Sequence, residues 1–245
     1  MDLGLKGKTA LVTGAGSQIG YGRGIVMTLA GEGCNIIAAD INLEGAQQTA
    51  ADAEALGIEA LAVKADVSNR AEVDEMIKTG LERFVHIDIL VNNAGTSSRL
   101  KPFVEMTRED WDIDIQVNLY GQMNVAQAVL PHMLARGYGR IINTSGGRGI
   151  PNISIYGAAK AGVMAFTEAL AREVAAAGVI VNGVGPGLGE TGLVQHAPKE
   201  FLEQNRQRST LKRLCTPEDV GPVVAFLASD VCSYMTGQFI HLSTF

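Results

Sequence analysis

Aromatic residues are scarce, at 5% of the 245-residue chain, and charged residues make up only 19%. A core must therefore be assembled mainly from aliphatic side chains, which suits short buried strands covered by helices. The cysteines Cys34, Cys215 and Cys232 are odd in number, far apart and without CxxC spacing. That argues against a disulfide framework and a zinc site, and the thiols read as reduced, in a cytoplasmic protein. No apolar run approaches the ~20 residues needed to cross a bilayer. The opening residues Met1 to Lys8 lack the basic, apolar, small-residue order of an export signal. Cations are in short supply too: the formal net charge is −6 and there is no basic block, so neither nucleic acid nor a membrane is an expected partner. Repeats and Pro/Ser-rich linkers are also lacking, and a single domain over residues 1–245 is expected.

Glycine, by contrast, is abundant, with 29 residues, several of them where an apolar run gives way to a helical pattern. Short apolar runs alternate with helical segments, the pattern of an α/β fold with a doubly wound parallel sheet. Seven strands are expected at about Thr9–Thr13, Asn35–Ala39, Ala60–Lys64, Ile87–Asn92, Arg140–Thr144, Ile180–Val184 and Phe239–Leu242. Helices are expected over Leu43–Leu56 and Asn69–Phe84, the second opened by an Asn69/Glu72 capping box, and within Thr107–Ala135. Another should start at Thr216-Pro217-Glu218-Asp219, where a capping hydroxyl, a first-turn proline and two acids follow in order.

The first strand runs into a glycine-rich turn carrying Gly14, Gly16, Ser17, Gly20 and Gly22, and then into a helical run. Such a turn lets the backbone approach a pyrophosphate at a helix N-terminus, so a dinucleotide is the expected ligand. Asp40 ends the second strand, where a carboxylate can accept from both ribose hydroxyls and repels a 2′-phosphate; NAD is therefore expected over NADP. The structural alternative for Asp40 is a turn cap ahead of Asn42. Arg23 pulls the other way, since it could face a phosphate.

Tyr156 and Lys160 lie four residues apart in a helical segment and share a face. A phenol is a poor acid or base at neutral pH, but a neighbouring ammonium and an oxidised nicotinamide favour its anion and equip Tyr156 to exchange a proton. Tyr and Lys at this spacing also occur by chance on ordinary helices, so the surroundings decide.

The glycine turn, Asp66-Val67, Asn92-Asn93-Ala94-Gly95, Asn118, Tyr156 with Lys160, and Pro186-Gly187 followed by Thr191 come in an order that resembles the short-chain dehydrogenase/reductase family over essentially the whole chain. The resemblance implies a Rossmann-type fold and hydride transfer between a nicotinamide and a secondary alcohol or ketone. It implies that Asp66 and Val67 border the adenine, that Asn92, Ala94 and Gly95 line the cofactor cleft, and that Pro186, Gly187 and Thr191 meet the nicotinamide end. It further implies that Lys160 holds the nicotinamide ribose, that Asn118 binds a water linking Lys160 to solvent, and that the protein is a homotetramer.

The chain departs from that family's pattern in three places. An ungapped alignment puts Gly146 where the family's substrate-binding serine usually stands, leaving Ser145, Ser154 or a backbone N–H to take the role, with Ser145 the favoured candidate. The glycine turn is two residues longer than usual, as in related enoyl reductases, although the Tyr/Lys spacing fits carbonyl reduction. The ending His241-Leu242-Ser243-Thr244-Phe245 lacks the acidic-Gly-Gly signature common in relatives.

Substrate choice is expected from loops at about 96–103, 146–154 and 188–208, where Arg148 could bind an anionic group of a small-molecule alcohol or ketone. Two further functions stay open: a 3-oxoacyl-thioester reductase acting on an acyl-carrier protein, and a catalytically silent nucleotide-binding regulator.

Overall fold

In the computed structural model, residues 2–97, 100–192 and 199–242 are described. Positions 98–99 and 193–198, within two expected substrate loops, and the terminal Ser243-Thr244-Phe245 lie outside them. Seven strands form one parallel sheet: β1 Thr9–Thr13, β2 Asn35–Asp40, β3 Ala60–Lys64, β4 Ile89–Asn92, β5 Gly139–Thr144, β6 Val179–Gly185 and β7 Phe239–His241. Their spatial order is β3-β2-β1-β4-β5-β6-β7, so the winding reverses between β1 and β4. In sheets of this kind the crevice outside the strand ends at that reversal is the place where ligands bind.

The helices are α1 Tyr21–Gly31, α2 Leu43–Glu54, α3 Arg70–Phe84, α4 Arg108–Ile115, α5 Gly121–Arg136, α6 Ser154–Val174, α7 Lys199–Arg208 and α8 Pro217–Ala228. Alternation along the strands feeds two apolar layers. Val12, Ile36 and Ile142 pack with Ile25, Leu29, Val220 and Val224 of α1 and α8. Leu11, Ile37 and Ile141 face the other way, onto Val125, Val129, Met133 and Leu170 of α5 and α6.

Strand positions follow the apolar runs closely, and two local expectations need correcting. β4 starts at Ile89 because Asp88 at its base turns its carboxylate to the N–H of Thr9, 2.8 Å away. The Asn69/Glu72 capping box does not form: Asn69 caps the helix by accepting from the N–H of Ala71, while Glu72 accepts from the N–H of Asp66 at 2.9 Å and from Asn69 Nδ2 at 2.8 Å. Glu72 thus ties the end of β3 to α3 instead of closing the helix on itself. The α8 start is as the sequence suggests, with Asp219 accepting from the N–H of Thr216 at 2.9 Å.

Between α4 and α5 the helix runs on and widens into a π-turn over Gln116–Tyr120. A π-turn shifts the side-chain register by one residue, and Asn118 lies inside it. None of the described helices is long and apolar enough to cross a membrane.

Candidate active site

Three segments converge on the crevice above β1 and β4. Gly14 has a left-handed backbone (φ +70°), and a Cβ there would come within 2.7 Å of Ala94 Cα. Only glycine lets the turn after β1 lie this close to the turn after β4. Asn93 stitches the two together, donating from Nδ2 to the carbonyls of Thr13 and Gly14 at 3.0 and 3.1 Å. Thr13 Oγ1 in turn accepts from the N–H groups of Asn93 and Ala94 at 3.1 and 3.0 Å. Gly22 draws α1 against this turn, since a Cβ on it would overlap the carbonyl of Gly14. Gly20 precedes α1 without a side-chain cap, so the helix presents its first N–H groups to the crevice. The third segment follows β6: the position a Cβ of Gly192 would take lies 3.0 Å from Ser17 Oγ, and Tyr21 donates its hydroxyl to the carbonyl of Gly187 at 2.8 Å. Pro186, Gly187 and the buried Thr191 are thereby held across the crevice from the glycine turn.

Asp40 stands at the end of β2 with one carboxylate oxygen accepting from the N–H of Gly16 at 2.7 Å and the other from the N–H of Asn42 at 2.8 Å. It serves the turn and faces the crevice at once, with lone pairs remaining on both oxygens. Arg23 faces away from this place. Its guanidinium pairs with Asp52 of α2 at 2.7 Å and with Gln18 Oε1 at 3.1 Å. The longer glycine turn is fastened by the same Gln18, which donates to the carbonyls of Gly16 and Gly45 at 3.1 and 3.0 Å. The contacts to Asp52 and Gly45 were not legible in the sequence, because both partners sit on α2.

Other expected cofactor residues also have partners within the protein. Asp66 closes its own turn, accepting from the N–H and hydroxyl of Ser68 at 2.9 and 2.7 Å. Val67 is buried against Gly121. Asn92 is also fully buried and sends Nδ2 to Asn143 Oδ1 at 2.9 Å, the start of a polar ladder continued by Asn143 donating to Thr167 Oγ1 at 2.8 Å. Its side chain braces β4 against β5 and does not line the cleft, in contrast to Ala94 and Gly95.

At the other end of the crevice, Tyr156 and Lys160 occupy the first turns of α6. Lys160 is buried; its Nζ donates to the carbonyl of Thr144 at 3.3 Å and lies 5.7 Å from the centre of the Tyr156 ring. Burial pulls this ammonium down to about 8. Burial, with the nearby carboxylate of Asp114, pushes the Tyr156 phenol up to about 12. Asn118 donates from Nδ2 to the carbonyls of Thr96 and Asp114 at 2.7 and 2.9 Å. A Cβ built on Gly95 would be 2.9 Å from Asn118 Oδ1 and 3.5 Å from Lys160 Nζ, so both polar groups border the same glycine. Asp114, fully buried one turn before Asn118, is a member of this group that the sequence reading missed; an acid at a core position of a helix was the available signal.

Ser145 does not present a hydroxyl to the crevice. It is buried, and its Oγ donates to the backbone carbonyl of Lys160 at 2.8 Å.

The shape fits a dinucleotide: glycines replace side chains along the crevice floor, an uncapped helix start faces a pyrophosphate position, and a carboxylate stands at one end with an amine and a phenol at the other. The comparisons agree. A family model described as Enoyl-(Acyl carrier protein) reductase matches residues 14–244. The 3-oxoacyl-(acyl-carrier-protein) reductase FabG of Thermotoga maritima is 39% identical over 241 residues, covering 97% of both chains. The hydroxy(phenyl)methylsuccinyl-CoA dehydrogenase subunit BbsD of Thauera aromatica is 36% identical over 245 residues, covering 98% of this chain and 96% of its own. A gluconate 5-dehydrogenase from Burkholderia cenocepacia J2315, solved with NADP and tartrate, superposes with a TM-score of 0.92 at 33% identity, covering 99% of this chain and 96% of its own. The chain belongs to the short-chain dehydrogenase/reductase family and is an NAD(P)-dependent oxidoreductase acting on a secondary alcohol or its ketone.

Proposed function

We propose that the protein is an NAD-linked dehydrogenase of a small secondary alcohol, cyclic alcohol or hydroxyacid, with Tyr156 as its proton-exchanging group. The observation that carries the cofactor preference is Asp40, whose carboxylate stands at the ribose end of the crevice while Arg23, the guanidinium of the glycine turn, is engaged by Asp52. A 2′-phosphate there would meet a negative charge without a compensating guanidinium. Initial rates with NADH and NADPH on one ketone should differ by about tenfold or more in favour of NADH; equal kcat/KM values would reject the preference. Asp40→Ser should erase most of that ratio by weakening NADH use and relieving the repulsion of NADPH, while kcat at saturating cofactor changes little.

A bound nicotinamide would supply or accept the hydride. The chain moves the proton: Tyr156 takes it from the alcohol or gives it to the ketone oxygen, and Lys160 stabilises the phenolate formed during oxidation. Asn118 positions a water beside Lys160 through which the proton reaches solvent. Asp66, Val67, Ala94, Gly95, Pro186, Gly187 and Thr191 would border a bound dinucleotide along its length. A homotetramer in the cytoplasm completes this reading, supported by exposed apolar side chains on the outer face of α4 and α5, including Ile113 and Leu134, and by three free thiols.

A second reading, reduction of a 3-oxoacyl thioester, is favoured by the name carried by the relatives at 39% identity. Both readings permit an anionic substrate group, for which Arg148 is suited: it is exposed on the loop after β5 and has no carboxylate partner among the described residues. Arg148→Met should raise KM for acidic substrates about tenfold and leave neutral ones within about twofold; equal effects on both would remove Arg148 from substrate binding. One panel separates the two readings: alcohols, hydroxyacids, ketones and acetoacetyl-CoA assayed with both cofactors. Turnover of the thioester with strong NADPH preference would select the second.

A further inference from the structure

We propose that the backbone N–H groups of Gly146 and Gly147, and not a serine hydroxyl, hold the substrate oxygen in this chain. Four observations on the loop between β5 and α6 lead there.

The hydroxyls within reach are committed elsewhere. Ser145 spends its proton on the carbonyl of Lys160 at 2.8 Å, and Thr144 spends its own on the carbonyl of Asn92 at 3.0 Å. Ser154 is exposed at the start of α6, with its Oγ 3.7 Å from the sulfur of Met106. It stands two positions before Tyr156, which turns the two side chains to different sides of the helix.

The position next to Ser145 carries no side chain, though one would fit. A Cβ on Gly146 would find only the carbonyl of Pro186, at 3.5 Å, an ordinary contact. The glycine therefore leaves space on the side facing the Pro186 segment, where a hydroxyl would otherwise project.

The loop backbone approaches the phenol itself. Gly147 has φ +70°, and a Cβ there would stand 2.6 Å from Tyr156 Cε1. Glycine is required on both counts, and its effect is to bring the peptide groups of 146–147 to the edge of the Tyr156 ring.

Finally, the donors are unspent. Among the described residues, the N–H groups of Gly146 and Gly147 and the hydroxyl of Tyr156 meet no acceptor or donor, whereas the N–H of Ser145 just before them is bonded to the carbonyl of Val184 at 3.0 Å. Successive N–H groups in a turn form a concavity suited to a negatively charged oxygen. Backbone donors fixed before the reaction cost no reorganisation as the alkoxide develops.

The proposal concerns only the oxygen end of the reaction. It uses the oxidoreductase chemistry of the family and stands whichever cofactor or substrate class prevails. The experiment takes the ketone that the wild-type protein reduces fastest in the panel and measures kcat/KM for Ser145→Ala/Ser154→Ala, with NADH binding as the check on folding. The double variant should keep kcat/KM within about tenfold of wild type; removal of a true oxyanion donor costs ~100-fold to 1000-fold. A loss of that size with NADH binding intact would overturn the proposal. Should the double variant not fold, Ser145→Ala and Ser154→Ala are measured singly on the same ketone: each should stay within about tenfold of wild type, and a ~100-fold loss in either with NADH binding intact would equally overturn the proposal.

Discussion

Tyr156→Phe should lower kcat in both directions by about a thousandfold, within the ~100-fold to 10,000-fold range of general acid–base catalysis, and leave NADH affinity within about twofold. The variant removes one oxygen that has no protein partner among the described residues, so no buried group loses a hydrogen bond and the fold should be unaffected. The loss therefore belongs to the proton transfer. Its pH dependence has a definite sign. Burial and Asp114 hold the phenol up, at about 12 in the free protein, so at neutral pH it is in its neutral, proton-donating form. Ketone reduction uses that form and should be nearly flat through neutral pH, falling only in strong alkali. Alcohol oxidation uses the phenolate and should climb steadily with pH. Rate profiles in both directions check this; a Tyr156→Phe protein retaining more than about a tenth of wild-type kcat would remove the phenol from the mechanism.

The sequence made legible those features that rest on neighbouring residues. Apolar runs between turn formers located every strand, because a parallel strand buried on both faces leaves little room for anything else. The glycine turn, Asp40, and the Tyr156/Lys160 pair were readable for the same reason: each is a local pattern whose partner is a ligand or lies one helical turn away. What escaped depends on which side of a strand or helix a residue faces and on partners far along the chain. Asn92 sits in a motif associated with the cleft, yet its place in the strand turns it toward Asn143, and it is Asn93 that ties the turns together. Ser145 shows the same sensitivity, since one step along the chain separates a side chain bound to the Lys160 carbonyl from one facing Pro186. Arg23 read as a possible phosphate ligand because Asp52, 29 residues away, was invisible as its partner. Asp114 was missed because the π-turn beside it alters the register on which a helical reading depends.

Lys160→Met should abolish most activity while making the protein more stable at pH 7, and this opposition follows from the cost of burying an ammonium. Among the described residues the group has one acceptor, the carbonyl of Thr144, and burial lowers its pKa from 10.5 to about 8. At ~1.36 kcal/mol per pH unit, that displacement is a destabilisation on the order of 3 kcal/mol. The folded state releases the proton near pH 8 and the unfolded chain only near 10.5, so between these values the unfolded state binds more protons and stability rises with pH. Below about pH 8 both states are protonated and the whole penalty applies. Methionine has nearly the same length and no charge to desolvate. The Thr144 carbonyl it leaves behind still accepts from Gln122 Nε2 at 2.9 Å, so no acceptor is stranded. Thermal unfolding at pH 7 should accordingly show Tm raised by about 6–12 °C, given ~2–4 °C per kcal/mol for a chain of this size. Between pH 8 and 10 the gap between variant and wild type should narrow as the wild-type amine loses its charge. A variant less stable than wild type at pH 7, or a gap that does not change with pH, would mean that the ammonium is compensated in place. In that event Lys160 would not be a strained group kept for its effect on Tyr156.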